Sequence, residues 1–196
     1  ITLGNLVSNA VVDLGGGTDA LTLAAGANTL SVANVETITG STGPNTVTLT
    51  TVASNVTVDL GAGTDRITLA GLGNTVTLRD IETITGSTGA DAVTLDSLLS
   101  AAVAIDLGAG NDTLVLKNGT NTGTVSNVET VTGAAGADAI TLGRAIANGS
   151  IDLAGGADAL TLSSSASTLT ASNIETLTGG AAADAVVEPQ HQPQSQ

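Results

Sequence analysis

The chain has 196 residues, including 25 glycines, and contains no Cys, Met, Phe, Tyr or Trp. Any core must therefore be built from Val, Ile, Leu and Ala, which argues against an ordinary enzyme domain, where aromatic side chains supply much of the buried area. The formal net charge of −14 argues against a nucleic-acid partner, because phosphate binding needs clustered cations. Cations are the more natural partners of such a surface.

The apolar residues indicate a folded chain rather than a disordered one. They make up 41% of the sequence and alternate regularly with Thr, Ser and Asp, which is the period of a β-strand. The alternating runs are short and are broken by Gly, Asn and Ser, and no window has the spacing of a substantial helix. No stretch approaches the roughly 18 apolar residues of a membrane span.

From its start, the chain consists of four tandem copies of one repeat, with approximate bounds 1–46, 47–93, 94–139 and 140–187. Two strings mark the register, and both recur at steps of 46, 47 and 46 residues. The V/I-D-L string contains Asp13, Asp59, Asp106 and Asp152, and the N/D-V/I-E-T string contains Glu36, Glu82, Glu129 and Glu175. Residues 188–196 break the pattern and are predicted to form a flexible Pro/Gln-rich tail.

Each repeat divides into two similar halves, which begin in the first copy at Leu14 and Gly40. Both halves have a Gly-rich turn, then an acidic or amide residue, then apolar residues two and four positions later. If each half forms one coil, the coil has about 23 residues and each repeat has two coils. The sequence therefore predicts an all-β fold, a parallel β-solenoid of about eight coils, as one array over residues 1–187.

One apolar position per predicted coil is expected to point inward and to form a ladder along the axis. The outward residues between them are largely Thr, which suits a solvated, pleated face. The missing aromatics are explained by a narrow interior with room only for aliphatic side chains. The predicted inward residues are Leu21, Val47, Ile67, Val93, Leu114, Ile140, Leu160 and Val186.

The turn residues are predicted to stack into one acidic column, with one residue per layer. At the 4.8 Å strand spacing, adjacent carboxylates repel by about 0.9 kcal/mol even in water. A hard cation between layers would turn this repulsion into attraction, and oxygen-only ligands favour calcium. The alternative is a cation-free turn in which each Asp caps its own backbone. The column comprises Asp19, Asn45, Asp65, Asp91, Asp112, Asp138, Asp158 and Asp184.

The string G-A-G-N-D-T-L-V-L at 108–116 resembles the Gly/Asp nonapeptide of RTX (repeats-in-toxin) proteins. The strings around Glu36 and Glu129 are similar to segments that flank nonapeptide blocks in that family, and the resemblance extends to about Val187. It implies a calcium-dependent parallel β-roll that is secreted by a type I system and folds outside the cell. The family includes toxins, proteases, lipases, adhesins and surface-layer proteins.

The resemblance assigns calcium ligands residue by residue. The motif Asp corresponds to Asp19, Asp65, Asp112 and Asp158, and less closely to Asp91, Asp138 and Asp184, whereas Asn45 lacks the charge. In the family the motif recurs every nine residues, but here single motifs lie 20 to 26 residues apart. The turn glycines correspond to Gly15, Gly17, Gly61, Gly63, Gly108, Gly110, Gly155 and Gly156.

The other recurring residues have simpler interpretations. The V/I-D-L aspartates could form a second cation column, but a solvated strand face is favoured for them and for the four marker glutamates. The T-x-T pattern that begins at Thr37 raises an ice-binding hypothesis, weakened because it recurs only once per two predicted coils. His191 is the only His, and it lies in the tail, without the positioned partner that catalysis needs.

These observations predict a non-enzymatic, calcium-binding structural or adhesive module of a secreted or cell-surface bacterial protein, part of a fibre, surface layer or matrix. No terminal cap is evident, so self-association or continuation into a longer array is expected. A first alternative is the non-catalytic secretion and folding domain of an exported hydrolase, which predicts a catalytic domain in the same reading frame. A second is an ice-binding solenoid, which an ice-recrystallisation assay would test.

Overall fold

The computed structural model of the protein describes residues 1–188. Within that range the chain is all β, with twenty short strands and no helix, and therefore has no helix that could cross a membrane. The predicted tail, including His191, lies outside the described residues except for Glu188. The odd-numbered strands are β1 (Ala10–Asp13), β3 (Asn28–Ala33), β5 (Asn45–Leu49), β7 (Arg66–Thr68), β9 (Thr83–Ser87), β11 (Ala104–Gly108), β13 (Thr122–Ser126), β15 (Ala139–Leu142), β17 (Ala159–Thr161) and β19 (Thr176–Thr178). The even-numbered strands are β2 (Ala20–Thr22), β4 (Thr37–Thr39), β6 (Ser54–Asp59), β8 (Thr75–Arg79), β10 (Ala92–Leu95), β12 (Thr113–Val115), β14 (Thr130–Ala135), β16 (Gly149–Gly155), β18 (Thr168–Ser172) and β20 (Ala185–Val187).

The strands form two parallel ten-stranded sheets that face each other across a narrow core. Sheet 1 contains the odd-numbered strands in chain order, and sheet 2 contains the even-numbered strands in chain order. Each coil of the chain contributes one strand to each sheet, and the stack has about nine turns. This confirms the predicted parallel β-solenoid, and the number of turns is close to the eight predicted.

The coil is shorter than predicted. The step from a residue to its partner one coil later is 17 residues from Leu21 to Ile38, 20 from Val47 to Ile67 and 21 from Val93 to Leu114. A coil of 23 residues is therefore wrong. Predicted turn residues that are 20 or 21 residues apart are separated by one whole coil. Those that are 26 residues apart are separated by one and a half coils, so they lie on opposite sides of the solenoid.

Each repeat copy contributes five strands, not four. The strands that follow the N/D-V/I-E-T marker are β4, β9, β14 and β19, which begin at Thr37, Thr83, Thr130 and Thr176. Because five is odd, equivalent strands alternate between sheet 2 and sheet 1. A repeat therefore spans two and a half coils rather than two. Successive copies are related by a half-turn about the axis and a rise of about 12 Å, at about 4.8 Å per coil.

The core is aliphatic, as the composition predicts. Of the eight predicted inward residues, all but Val186 are buried, and Val186 is half-buried at the C-terminal end of the stack. They do not form one ladder, because they are divided between the two sheets: Leu21 lies on β2 and Val47 on β5. The inward positions of both sheets interdigitate along the whole stack.

Backbone segments of neighbouring coils approach closely where each second half begins. A Cβ built on Gly40, Gly86 or Gly133 would lie 2.3, 2.1 or 2.5 Å from the carbonyl oxygen of a leucine in the next coil. No side chain fits at these distances, so glycine is required at these positions. The sequence prediction named other turn glycines and missed these three.

The first residue of the N/D-V/I-E-T marker has a conformational role. Asn34, Asp80, Asn127 and Asn173 adopt left-handed φ values of 53°, 51°, 53° and 53°. Asn and Asp tolerate this region better than other residues with a side chain. The marker therefore identifies a fixed bend in every repeat copy.

Candidate functional site

The predicted turn residues occupy two corners of the solenoid. We call the bend that precedes each strand of sheet 1 corner 1, and the bend that precedes each strand of sheet 2 corner 2. A single column with one acidic residue per layer is therefore wrong, because the residues are divided equally between two edges of the stack. Corner 1 holds Asn45, Asp65, Asp138 and Asp158, and corner 2 holds Asp19, Asp91, Asp112 and Asp184.

At each corner, polar side chains join successive coils into what we call a polar run. In the first run at corner 1, Val7 N donates to Asn28 Oδ1 at 3.3 Å, and Asn28 Nδ2 donates to Asn45 Oδ1 at 2.9 Å. Asn45 N then donates to Asp65 Oδ1 at 2.6 Å, and Asp65 N donates to Glu82 Oε2 at 2.7 Å. The side chain of each coil thus accepts a hydrogen bond from the coil before it.

Two further complete runs differ from the first only in having an Asp at the third position, where the first run has Asn45. In each, an apolar residue comes first, an Asn, an Asp and a second Asp follow, and a Glu comes last, with every backbone N–H donating to the next side chain. One is Ala53, Asn74, Asp91, Asp112 and Glu129 at corner 2, with distances of 3.0, 2.8, 2.7 and 2.9 Å. The other is Leu99, Asn121, Asp138, Asp158 and Glu175 at corner 1, with distances of 3.0, 2.8, 2.7 and 2.6 Å.

The polar runs satisfy backbone groups that the sheets leave unpaired at the bends. A buried N–H without an acceptor costs about as much as a lost hydrogen bond, so a bend inside a stack needs acceptors from side chains. The Asn residues also satisfy carbonyls: Asn121 Nδ2 lies 2.9 Å from the oxygens of Lys117 and Gly119 and 2.9 Å from Asp138 Oδ1. The carboxylates therefore cap the coil before them, and two of them also cap their own turns, as in the alternative prediction: Asp91 accepts the N–H of Ser87 at 2.8 Å and Asp184 that of Gly180 at 3.0 Å.

Sequence reasoning missed half of the members of the runs. The marker glutamates, expected on a solvated strand face, instead end the runs by accepting the N–H of Asp19, Asp65, Asp112 and Asp158. A signal for Asn28 and Asn121 was present, because each follows a glycine by two residues, as the predicted turn residues do. Asn74 and Ser167 lack that glycine and give no such signal. The missed members are Asn28, Glu36, Asn74, Glu82, Asn121, Glu129, Ser167 and Glu175.

The V/I-D-L aspartates lie on strands, outside the runs. Asp13 Oδ1 accepts the N–H of Gly15 at 3.0 Å and also the side-chain amide of Asn34 at 2.7 Å. Asp106 and Asp152 make equivalent bonds to the residue two positions later and to an Asn in the next coil. These contacts close the first turn of each repeat and account for the constant spacing of the string within the chain.

Five carboxylates of the runs keep one oxygen without a partner. Within residues 1–188, no hydrogen bond reaches Oδ2 of Asp19, Asp65, Asp112, Asp138 or Asp158. Burial raises the pKa of Asp112 to about 6, and the neighbouring Asp91 and Glu129 carboxylates add to the rise, while the bond from Asp91 N opposes it. Burial likewise raises the pKa of Asp65 and of Asp158. These groups therefore stabilise the fold less when they are ionised.

The predicted calcium ligands are spread along the polar runs, and calcium binding by them stays a prediction. No group of three or more acidic or His side chains converges within residues 1–188, whereas calcium takes six to eight oxygen ligands. The carboxylates of Asp65, Asp112 and Asp158 each have one oxygen engaged by a backbone N–H. The predicted turn glycines are exposed or half-exposed, and Gly108 and Gly155 are the last residues of strands. A Cβ built on Gly63 or Gly156 would lie within about 3 Å of the carboxylate of Asp65 or Asp158.

We expect Asp112→Asn to raise the melting temperature at pH 7. The amide keeps an oxygen for Asp91 N–H but removes a buried charge, which is worth on the order of 2 kcal/mol, or roughly 4–8 °C for a chain of this size. Since the folded pKa of about 6 exceeds the unfolded value of 3.8, wild-type stability should fall as the pH rises from about 4 to above 6. Melting curves between pH 4 and 8 measure both effects.

The control for Asp112→Asn is Asp13→Asn, which makes the same change in net charge at an exposed strand end. It should leave the slope of melting temperature against pH close to that of the wild type, whereas Asp112→Asn should flatten it. A lower melting temperature for Asp112→Asn at pH 7 would show that the ionised carboxylate stabilises the fold.

Threonine columns, each four strands long, run across part of the outer face of both sheets. Thr37, Thr57, Thr77 and Thr94 are consecutive partners across sheet 2. Thr124, Thr141, Thr161 and Thr178 are consecutive partners across sheet 1. The sparse recurrence of the T-x-T motif therefore does not limit the columns, because strands outside the motif contribute threonines to them.

No protein-family model, no curated protein and no solved structure matches the chain.

Proposed function

We propose that the chain is a non-catalytic structural or adhesive module of a secreted or cell-surface bacterial protein, a rigid element of a fibre, surface layer or matrix. The observation that carries this proposal is the use of the buried acidic residues as caps. The side chains of these residues join successive coils, because each accepts a backbone N–H of the coil before it. The extracellular location depends on the resemblance to RTX proteins.

The uniformity of the stack supports a mechanical role. Three complete polar runs follow one pattern, in which an apolar residue and an Asn are followed by an Asn or Asp, an Asp and a Glu, and the aliphatic core continues from coil to coil. Every repeat copy adds the same rise and presents similar rows of short polar side chains. Such a design gives length and a regular surface, which are the properties that a spacer or matrix element needs.

The fold should form without calcium, because the polar runs satisfy the bends with the chain's own atoms. We expect the β-sheet circular dichroism signal and the melting temperature to agree within about 2 °C in millimolar calcium and in excess chelator. Magnesium at the same ionic strength is the control, since any salt screens a net charge of −14. A melting temperature that rises with calcium but not with magnesium would contradict this role of the runs and support the calcium ladder.

A second candidate function is ice binding, which the threonine columns favour. They place hydroxyl and methyl groups in straight rows at the strand spacing of about 4.8 Å on both faces. Its signature is inhibition of ice recrystallisation by the intact chain, which replacement of Thr57 and Thr77 by a bulkier residue such as Tyr should abolish.

A further inference from the structure

The two ends of the solenoid hold complementary parts of one polar run. At the C-terminal end, Ile146, Ser167 and Asp184 occupy the first three positions of a run at corner 2. At the N-terminal end, Asp19 and Glu36 occupy the last two positions of a run at the same corner. Placed in sequence, these five residues make one complete run.

The hydrogen-bonding groups at the break are also complementary. In the complete runs, Asn45, Asp91 and Asp138 each donate a backbone N–H to the carboxylate of the next coil. Asp184 is the equivalent donor and Asp19 the equivalent acceptor. Within residues 1–188, Asp184 N has no acceptor and the Asp19 carboxylate receives no hydrogen bond.

The apolar residues at the ends show the same incompleteness. Leu177 occupies the core position of Ile38, Ile84 and Val131, which are 0%, 2% and 0% exposed, yet Leu177 is 37% exposed. In sheet pairing, Ile38 lies opposite Val58. The equivalent of Val58 at the N-terminal end is Val12, which is only half-buried there.

We propose that two copies of this chain join head to tail, with the C-terminal end of one stacked in phase on the N-terminal end of the next. This inference rests on the proposed structural role and names the partner as a second copy. In sheet 1, β19 pairs with the partner's β1, as β4 pairs with β6. In sheet 2, β20 pairs with the partner's β2, as β5 pairs with β7.

The joint requires an exchange at the edge of sheet 2. There, residues Ile1 to Leu3 already cover β2: Leu3 N donates to Thr22 O at 2.9 Å, and Thr22 N donates to Ile1 O at 2.8 Å. Ile1 and Val186 occupy the same position within the repeat. In the joint, β20 of one copy therefore takes the place of residues Ile1 to Leu3 of the next copy. The interface is heterologous, so the joint propagates into a filament rather than closing as a dimer.

Paired cysteines test the register of the joint, because the chain has no native Cys. Thr176 and Val11 become outward-facing partners on adjacent strands, as Thr37 and Thr57 are, at a separation that permits a disulfide. Within one copy they lie at opposite ends of sheet 1, about 40 Å apart, so a bond can form only between copies. The variant Val11→Cys with Thr176→Cys should therefore give dimers, trimers and longer species on a non-reducing gel.

The matched control is Leu72→Cys with Thr176→Cys, since Leu72 is 67% exposed in a bend near the middle of the stack. Equal amounts of cross-linked species in the two variants, or none in either, would overturn the proposal. Single-cysteine variants exclude symmetric Val11 or Thr176 pairs, which would also contradict a head-to-tail joint.

Opening the N-terminal edge tests the exchange. Leu3→Pro removes the N–H that donates to Thr22 O, and deletion of residues 1–5 removes the covering segment. Either change should increase the cross-linked yield several-fold, whereas Leu177→Asp should abolish it and Leu72→Asp should not. An unchanged yield in both opened variants would refute the exchange. A chain that melts alike with calcium and chelator but never cross-links would refute the joint and leave the proposed function standing.

Discussion

Gly86→Ala should destabilise the protein by more than about 3 kcal/mol, because a Cβ at this position has no space and the backbone must move. The added carbon would lie 2.1 Å from Leu107 O and 2.5 Å from Leu107 Cα in the next coil. That loss corresponds to a fall of roughly 6–12 °C in melting temperature for a chain of this length. Thermal unfolding followed by circular dichroism measures it.

Gly71→Ala is the matched control, since no atom lies within 4 Å of the place that its Cβ would occupy and its φ is not left-handed. It should change the free energy of unfolding by no more than about 0.5 kcal/mol. If the two variants melted together, the close approach of neighbouring coils at Gly86 would not exist in solution.

Asn121→Ala should have a comparable effect through unsatisfied polar groups. The change leaves the N–H of Leu99 and the carbonyls of Lys117 and Gly119 without the side chain that now bonds them. Each buried group left unpaired costs about 1–3 kcal/mol, so a total loss of about 3–5 kcal/mol is expected. Urea unfolding gives this difference directly from the midpoint and slope.

The control for Asn121→Ala is Asn118→Ala, an exposed position in the same bend. It should leave the midpoint of unfolding nearly unchanged. Similar losses for both variants would mean that the bend itself, rather than the polar run through Asn121, holds these coils together.

The fold class could be predicted from the sequence because its signals are local and repeated. Alternating runs such as Ala20–Thr22, the glycine-rich turns and the aliphatic composition all indicate short strands on a narrow coil. The size of the coil could not be predicted in the same way. The sequence repeats every 46 or 47 residues, but nothing in that period states how many times the chain turns within it.

The error in the site has the same origin. Asp65 and Asp91 occupy equivalent positions in the two half-repeats, and this equivalence predicted that they stack in adjacent coils. They lie instead at different corners, and the coil-to-coil partner of Asp65 is Glu82. Such partners lie 17 to 22 residues apart in the sequence, so the run becomes evident only once the register of the strands is known.

Because each repeat has an odd number of strands, the number of repeats determines which way the far end of the array faces. Gain or loss of one repeat by unequal recombination would rotate everything beyond it by half a turn about the axis, so a feature that faced one side of the solenoid would then face the opposite side. Gain or loss of a pair would change only the reach. Where selection keeps the orientation of the far end constant, related arrays should therefore differ in length by even numbers of repeats.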